Sequence, residues 1–420
     1  MSRFIYSLLY SLLLPLFVFR LMVRSLKAPA YRHRMLERFG VQRPTVGPCV
    51  WVHAVSVGEV IAISPLVQRL LNEKRRVLIT TTTPTGADQV KQIFGDDVEH
   101  RFLPWDLPFF MQAFFRSHNP SVLVIVETEI WPNMLASCRK QGIPVLLANA
   151  RLSEKSFAGY QRFASLTRGA LRNITQVLAQ HESDADRFKL LGAPDVQVIG
   201  SIKFDMTPDQ HKVDVGRHWR QQWGVGRHVL IGASTHRGED EQLLDCWRSL
   251  KRNGEDCVLI LVPRHPERFN DVKRLAERYS DRVGVRSSDS PSLDIDVWIG
   301  DSLGEMFSYY AAADVAFVGG SFSGTGGHNP LEPAALGMPI VMGPSDYNFS
   351  SIVERLRDAG ALIQVTSSDD LPSVVSTQFH SPMDDIGARG IDVVEQSRGA
   401  LDRLTHALSA QLNDVDRITR

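Results

Sequence analysis

The stretch HAVSVGEV, residues 53–60, sets Ser56, Gly58 and Glu59 where an apolar run hands over to a helical pattern. Gly58 lets another group approach the backbone closely. Glu59 would sit in the first helical turn, where the helix dipole favours a carboxylate, and is expected to stay ionised and able to accept a proton. A plain acid that only stabilises its own helix is the competing reading. Pro65 either bends this helix or, with Ser64 as N-cap, begins it.

Four further stretches follow the same strand-to-helix logic. TTTTPTGAD, 80–88, ends an apolar run in hydroxyls, Thr83 among them, that suit phosphate or sugar oxygens or simply a turn. In ETEIWPN, 127–133, Glu127 and Glu129 alternate by two and so share a face; buried unpaired acids are costly, so at least one needs a partner or faces a ligand. LVPRHPER, 261–268, offers Arg264, His265 and Arg268 on a turn stiffened by prolines, and an arginine fork matches phosphate oxygens. In GDSLGEMFSYYAAAD, 300–314, Ser302 and Glu305 have capping-box spacing, with Leu303, Met306, Phe307 and Tyr310 as the core stripe.

FVGGSFSGTGGHNPLEPAALGMP, 317–339, crowds five glycines into the loop after an apolar run. It lacks the lysine of a phosphate-binding P-loop and the spacing of a dinucleotide fingerprint. Its glycine amides can still line a phosphate or sugar. Glu332, in the first turn of the next helix, can accept two hydrogen bonds from ribose hydroxyls. No D-x-D pair directly ends one of the apolar runs to suggest a metal-held diphosphate.

The elements that must position these residues are legible as continuous apolar runs separated by helical spacers. They are 49–54, 77–83, 122–127, 145–148, 177–180 and 196–199, then 228–234, 258–262, 296–300, 315–320 and 339–343. Continuous runs rather than alternating ones suit strands buried on both faces of a parallel sheet. The expected fold is α/β: two Rossmann-like doubly wound domains facing a cleft, with ligands at the carboxyl ends of the strands. The expected boundaries are a membrane anchor at 1–24, an N-terminal domain at 25–208, a polar linker at 209–224, a C-terminal domain at 225–391 and a terminal helix at 392–420 that packs on either domain.

With 420 residues, two domains are the natural starting point. Forty-seven basic and 47 acidic residues balance, which removes any bulk electrostatic case for nucleic-acid binding. Cys49, Cys138, Cys246 and Cys257 form no C-x-x-C pair or zinc spacing and read as reduced packing residues. The run FIYSLLYSLLLPLFVF, 4–19, carries no charge, and residues 1–34 hold six arginines and lysines without one acid. Basic charge directly after the run argues against a cleaved signal peptide. A short tilted span or an in-plane anchor fits, with the chain held on the cytoplasmic side and the basic flank near anionic headgroups.

Taken together, HAVSVGE, TTTTPTGAD, ETEIWPN, ANARLSEKS, GSIKFD, STHRGED, LVPRHPER, GDSLGEM and GGHNPLEPAALGMP occur in one order. The chain thereby resembles the 3-deoxy-D-manno-octulosonic acid (Kdo) transferases of lipopolysaccharide synthesis, nearly end to end. One departure is SFSGTGGHNP, richer in glycine before GGHNP than the family pattern. The resemblance implies a GT-B fold and an inverting, metal-independent transfer from CMP-Kdo to the tetraacyl disaccharide bisphosphate precursor of lipid A (lipid IVA), at the cytoplasmic face of a bacterial inner membrane, with no cofactor beyond the donor. It implies Glu59 as the base, Arg264 and His265 at the CMP phosphate, and Glu332 at the ribose. Ser234, Thr235, Gly304, Glu305, Gly327, His328 and Asn329 fall with the donor side, and Ser56, Gly58, Thr83, Glu129 and Lys203 with the acceptor side. Another GT-B transferase or an epimerase using a UDP- or GDP-sugar is the alternative.

Overall fold

The computed structural model describes residues 1–45, 47–224, 226–381 and 383–418. Two compact units emerge: Met1–Asp205 with Arg398–Arg420, and Met206–Ser397.

The first unit is built on β1 (Pro48–His53), β2 (Val77–Thr81), β3 (Glu99–Phe102), β4 (Asn119–Val126), β5 (Val145–Ala150), β6 (Gln176–Ala179) and β7 (Val196–Val198). The second is built on β8 (His228–Thr235), β9 (Cys257–Pro263), β10 (Val283–Val285), β11 (Val297–Ile299), β12 (Val315–Val318), β13 (Ile340–Met342) and β14 (Leu362–Gln364). The sheet orders are 3-2-1-4-5-6-7 and 10-11-9-8-12-13-14, and the pairings are parallel throughout. Each is the doubly wound pattern expected from the apolar runs. In each order the direction of winding reverses at one place, β1/β4 and β8/β12.

Alternation along the inner strands explains how both faces are buried. Val50 and Val52 enter one core layer with Val60, Ile63, Leu66 and Val67 of α2 (Val57–Asn72). Cys49 and Trp51 enter the opposite layer with Phe114, Leu123 and Leu147. Pro65 lies inside α2, so it neither starts the helix nor ends it. Proline cannot donate to the Ile61 carbonyl, and the Ser64 hydroxyl donates to that carbonyl instead at 2.8 Å.

The strands that the sequence pattern does not reveal, β3, β10 and β14, all lie at sheet edges. An edge strand contributes less to the core and needs no continuous apolar run. Residues 209–224, read as a linker, instead form the helix Gln210–Gln222, which packs Val213 and Trp219 into the second unit. Its apolar residues are too few to stand out amid polar ones.

The terminal helix expected at 392–420 is two helices. Met383–Gln396 belongs to the second unit, and Ala400–Ile418 returns to the first. Asp205 accepts the backbone N–H of Gly399 at 2.6 Å and of Leu401 at 2.7 Å, which caps the returning helix. Leu401, Leu404, Leu408 and Leu412 then join the layer that contains α2.

Helix α1 (Arg3–Lys27) touches the rest of the first unit through Tyr6, Ser7 and Phe17. The Tyr6 hydroxyl donates to Asp106 at 3.0 Å, Ser7 bonds Asn133, and Phe17 stacks on Trp105. Asp106 also accepts the N–H groups of Asn133 and Met134 at the start of the helix Pro132–Lys140. At the far end Arg32 donates to Ser25, and Arg24 lies over Tyr31. The opposite face exposes Leu8, Leu9, Leu12, Leu13, Leu16, Phe19, Met22 and Val23.

Leu404→Ala is expected to destabilise the first unit by about 2–5 kcal/mol, the usual range for a fully buried leucine. Hydrogen exchange should quicken in β1 and β4 while β8 and β12 keep their protection.

Candidate functional site

The winding reversals mark where open α/β sheets leave a crevice beyond the strand ends, and the chemically suited residues gather there in each unit.

In the first unit the loop after β1 carries Ser56, Gly58 and Glu59. The Glu59 carboxylate is 8% exposed. It accepts the Val55 N–H at 2.7 Å and the Ser56 hydroxyl at 2.9 Å. Ser56 caps α2 and accepts the Glu59 N–H in return. The expectation that the helix end keeps Glu59 ionised needs correcting. Burial pushes its carboxyl up to about 7, against the pull of the Val55 amide and Ser56 hydroxyl, and Glu127 and Glu129 push the same way. A carboxylate balanced near neutrality is well matched to taking a proton from a hydroxyl at cellular pH. Gly58 is exposed, and a Cβ there would meet only the Ser56 hydroxyl oxygen, at 4.0 Å.

Thr83 caps the next helix and donates to the Val55 carbonyl at 3.2 Å, so its proton is engaged in holding the Glu59 loop. Thr80 and Thr81 are buried; Thr80 accepts from Trp51, and Thr81 bonds the His100 ring. Beyond β4, Glu127 and Glu129 both have partners. Lys203 reaches Glu127 at 3.3 Å, and the Trp131 indole N–H donates to Glu129 at 2.9 Å. Burial also raises the Glu129 carboxyl. Asn149, in the left-handed region at φ 53, accepts the Ile202 N–H next to Lys203. Asn149 was not legible as a site residue, because only the sheet brings β5 beside the loop after β7.

In the second unit the loops after β8, β9, β11 and β12 supply the residues. Ser234 turns the end of β8 at φ 56. Thr235 is fully buried and donates to Asp240 at 2.5 Å, so its hydroxyl faces inward rather than to a ligand. Arg268 is likewise structural: it pairs with Asp240 and donates to the Thr235 carbonyl. Arg264 and His265 are exposed, and their side chains form no hydrogen bond or ion pair among the described residues. His265 lies edge-on to His236, which stacks on His328 with ring nitrogens 2.8 Å apart. Burial, followed by His236, Arg264 and His265, pushes His328 down to about 4. The neutral His328 ring thus lies near the Arg264 cation.

Burial pushes Glu332 up to about 7, opposed by Asn329 and Arg264. It sits in the first turn of the helix Leu331–Ala335, and Asn329 accepts the Leu331 N–H. The helix expected to open at Ser302 begins at Met306, leaving Leu303 outside and exposed. Tyr309 and Tyr310 fill the core there. Ser302 still donates to Glu305, whose carboxylate also takes Arg286 at 2.9 Å, and Gly304 turns the exposed loop before it.

The glycine loop holds the largest surprise. Glu239, unremarked in the sequence and 1% exposed, accepts the N–H groups of His236, Gly320, Phe322 and Ser323. The amides that looked ready for a phosphate are occupied by the protein's own carboxylate. Glycine is required at Gly319 because an added Cβ would lie 2.5 Å from the Ser234 carbonyl oxygen, and at Gly327, where φ is 69 and Met342 stands 2.8 Å away. Among the described residues, His228, Glu255 and His380 have ligand atoms within 4.8 Å of one another. His228 starts β8, Glu255 precedes β9 and His380 ends the helix Leu371–His380, so the group lies at the amino ends of strands whose carboxyl ends carry Arg264.

Glu239→Ala removes the acceptor of these loop amides. Each buried amide left unsatisfied costs about 1–3 kcal/mol. Faster exchange at Gly320 and Phe322 and a lower unfolding temperature are expected, with Glu239→Gln intermediate.

The comparisons with known proteins agree with this architecture. The family model described as 3-deoxy-D-manno-octulosonic-acid transferase (kdotransferase) matches residues 33–206. The 3-deoxy-D-manno-octulosonic acid transferase of Haemophilus influenzae is 37% identical over 98% of this chain and 99% of its own. That of Bordetella pertussis is 38% identical over 76% of this chain and 77% of its own. The crystal structure of Acinetobacter baumannii MurG, 12% identical, aligns with 87% of this chain and 100% of its own at a TM-score of 0.54, which shows the shared GT-B fold. On its identity with these enzymes, nearly end to end for that of Haemophilus influenzae, the chain belongs to the 3-deoxy-D-manno-octulosonic acid transferase family of glycosyltransferases.

Proposed function

We propose that this enzyme transfers Kdo from CMP-Kdo to a hydroxyl of the tetraacyl disaccharide bisphosphate lipid A precursor, with inversion and without a metal. The observation that carries the reading is Glu59, a carboxylate held by Val55 and Ser56 at a winding reversal with an affinity for protons near neutrality. Glu59 takes the acceptor hydroxyl proton as that oxygen attacks the anomeric carbon. The bond from that carbon to the CMP phosphate oxygen breaks, and CMP leaves from the opposite face with the electron pair. Arg264 supplies positive charge, and His265 and the His236–His328 pair supply hydrogen-bonding ring nitrogens, where the departing phosphate gathers negative charge. Glu332 receives the ribose hydroxyls. Gly58 leaves open backbone beside Glu59 where an acceptor sugar can lie.

Purified protein incubated with CMP-Kdo, the lipid A precursor and a chelator is expected to give a product heavier by Kdo, read by mass spectrometry. Absence of Kdo addition with chelator absent as well overturns the activity; turnover with a UDP- or GDP-sugar instead overturns the donor. Because the folded Glu59 binds protons up to about pH 7, the base form is lost as pH falls, so kcat/KM should decline below about pH 7. Glu59→Gln should lower kcat by at least about a hundredfold, the usual scale of general-base catalysis, with CMP affinity retained. Near-normal turnover in the Gln variant removes Glu59 from the base role.

The enzyme is further proposed to sit on the cytoplasmic face of the inner membrane through α1. Arg3–Leu26 is long and apolar enough to cross a bilayer. Docking at Tyr6, Ser7 and Phe17 lays one face against the first unit, and the other presents leucines and Phe19 to lipid. This supports a helix lying in the membrane plane. A cysteine at Ser2 should then react with an impermeant maleimide only from the cytoplasmic side. Labelling from the periplasmic side would establish a span.

A further inference from the structure

At the start of α1 two adjoining cavities of about 560 and 630 Å³ share Arg3, Ala136 and Lys140. Their walls hold four side-chain cations, Arg3, Arg116, Arg139 and Lys140, and no carboxylate. Asn133, Ser137 and Gln112 add neutral donors. Among the described residues, none of the four cations forms an ion pair; Arg139 alone has a backbone partner, the Arg172 carbonyl at 3.3 Å. Arg3 also lies within electrostatic reach of the buried Asp106, yet four cations around cavity walls that hold no carboxylate suit an anion. The rim identifies what carries that anion. Phe109, 56% exposed, lines the first cavity, and Phe163, 52% exposed, precedes Ser165 and Leu166 of the second. The exposed apolar face of α1 begins at Phe4, directly after Arg3. Cationic walls beside apolar surface match the interface of a bilayer, where phosphate lies next to acyl chains.

We propose that this pocket binds the phosphate headgroup of an anionic membrane phospholipid and so anchors the front of α1. It rests on the membrane association proposed above, and it adds a defined headgroup site to the apolar contact. Arg116 and Lys140 bind the phosphate oxygens from the body of the first unit, and Arg3 from the helix itself, so occupation ties α1 to the unit and both to the bilayer.

The test is partition of the full-length protein onto phosphatidylcholine vesicles with and without phosphatidylglycerol. Arg116 and Lys140 are exposed, so the double variant Arg116→Gln/Lys140→Gln keeps the fold. It is expected to keep its partition onto neutral vesicles, which reads α1 alone, and to lose the extra affinity for anionic vesicles. About fivefold per charge is expected, on the order of 25-fold for the pair. Ala136→Leu keeps every charge and fills the shared wall; it should lose at least about fivefold of the same preference. A full anionic preference in either variant overturns the pocket, because delocalised surface charge then explains the binding. Inorganic phosphate, compared with chloride at equal ionic strength, should not displace the protein from anionic vesicles; selective displacement would make the pocket a free-phosphate site and overturn the lipid assignment. Failure of the wild type to bind neutral vesicles would count against the α1 anchor separately.

Discussion

Burial of both faces of a parallel sheet is the constraint from which the rest follows. With strands covered by helices on either side, polar chemistry has no place on the sheet itself. It is confined to loops beyond the strand ends, and chiefly to the points where the winding reverses. Both sheets obey this. Ser56 and Glu59 follow β1 while Glu127 and Glu129 follow β4. His236 and Glu239 follow β8 while the glycine loop follows β12.

The two units use the same position differently. In each, a glutamate in the first turn of the helix after the first central strand turns back to bind a loop amide, Glu59 to Val55 and Glu239 to His236. Glu239 goes further and gathers amides from the loop after β12, so its carboxylate becomes a structural pin. Glu59 has only the Val55 amide and the Ser56 hydroxyl, and its neighbours beyond β4 are acids. Burial, with Glu127 and Glu129 adding to it, raises the proton affinity of Glu59 into the range useful for a base. One local geometry thus serves architecture in one unit and suits chemistry in the other.

The chain ends are drawn into the first unit by the same satisfaction of backbone groups. Asp205 caps the helix Ala400–Ile418 at the place where the chain re-enters. Asp106 receives the first amides of the helix Pro132–Lys140 and the hydroxyl of Tyr6. Burial pushes the Asp106 carboxyl up to about 6, and those donors pull it back. A single buried acid therefore links a core helix to the apolar helix at the front of the chain.

The inner strands, the two-unit α/β fold and the family were legible in the sequence, because runs such as VLVIVE and VLILV must be buried on both faces and the motifs follow in order. Arg264 and His265 stood out as candidates because they come directly after such a run, and Glu332 because it opens the helix after the glycine loop. Three things lay beyond it. Edge strands β3, β10 and β14 carry too little apolar pattern to announce themselves. The helix Gln210–Gln222 hides its buried Trp219 among polar residues. Glu239 gains its role from amides more than 80 positions away, and Arg268 and Thr235 turn inward to Asp240. Local pattern determines which segments are buried and where loops must fall. Which side chain faces a ligand and which one serves a neighbouring backbone is decided by pairing between distant loops, and only the folded sheet brings those loops together.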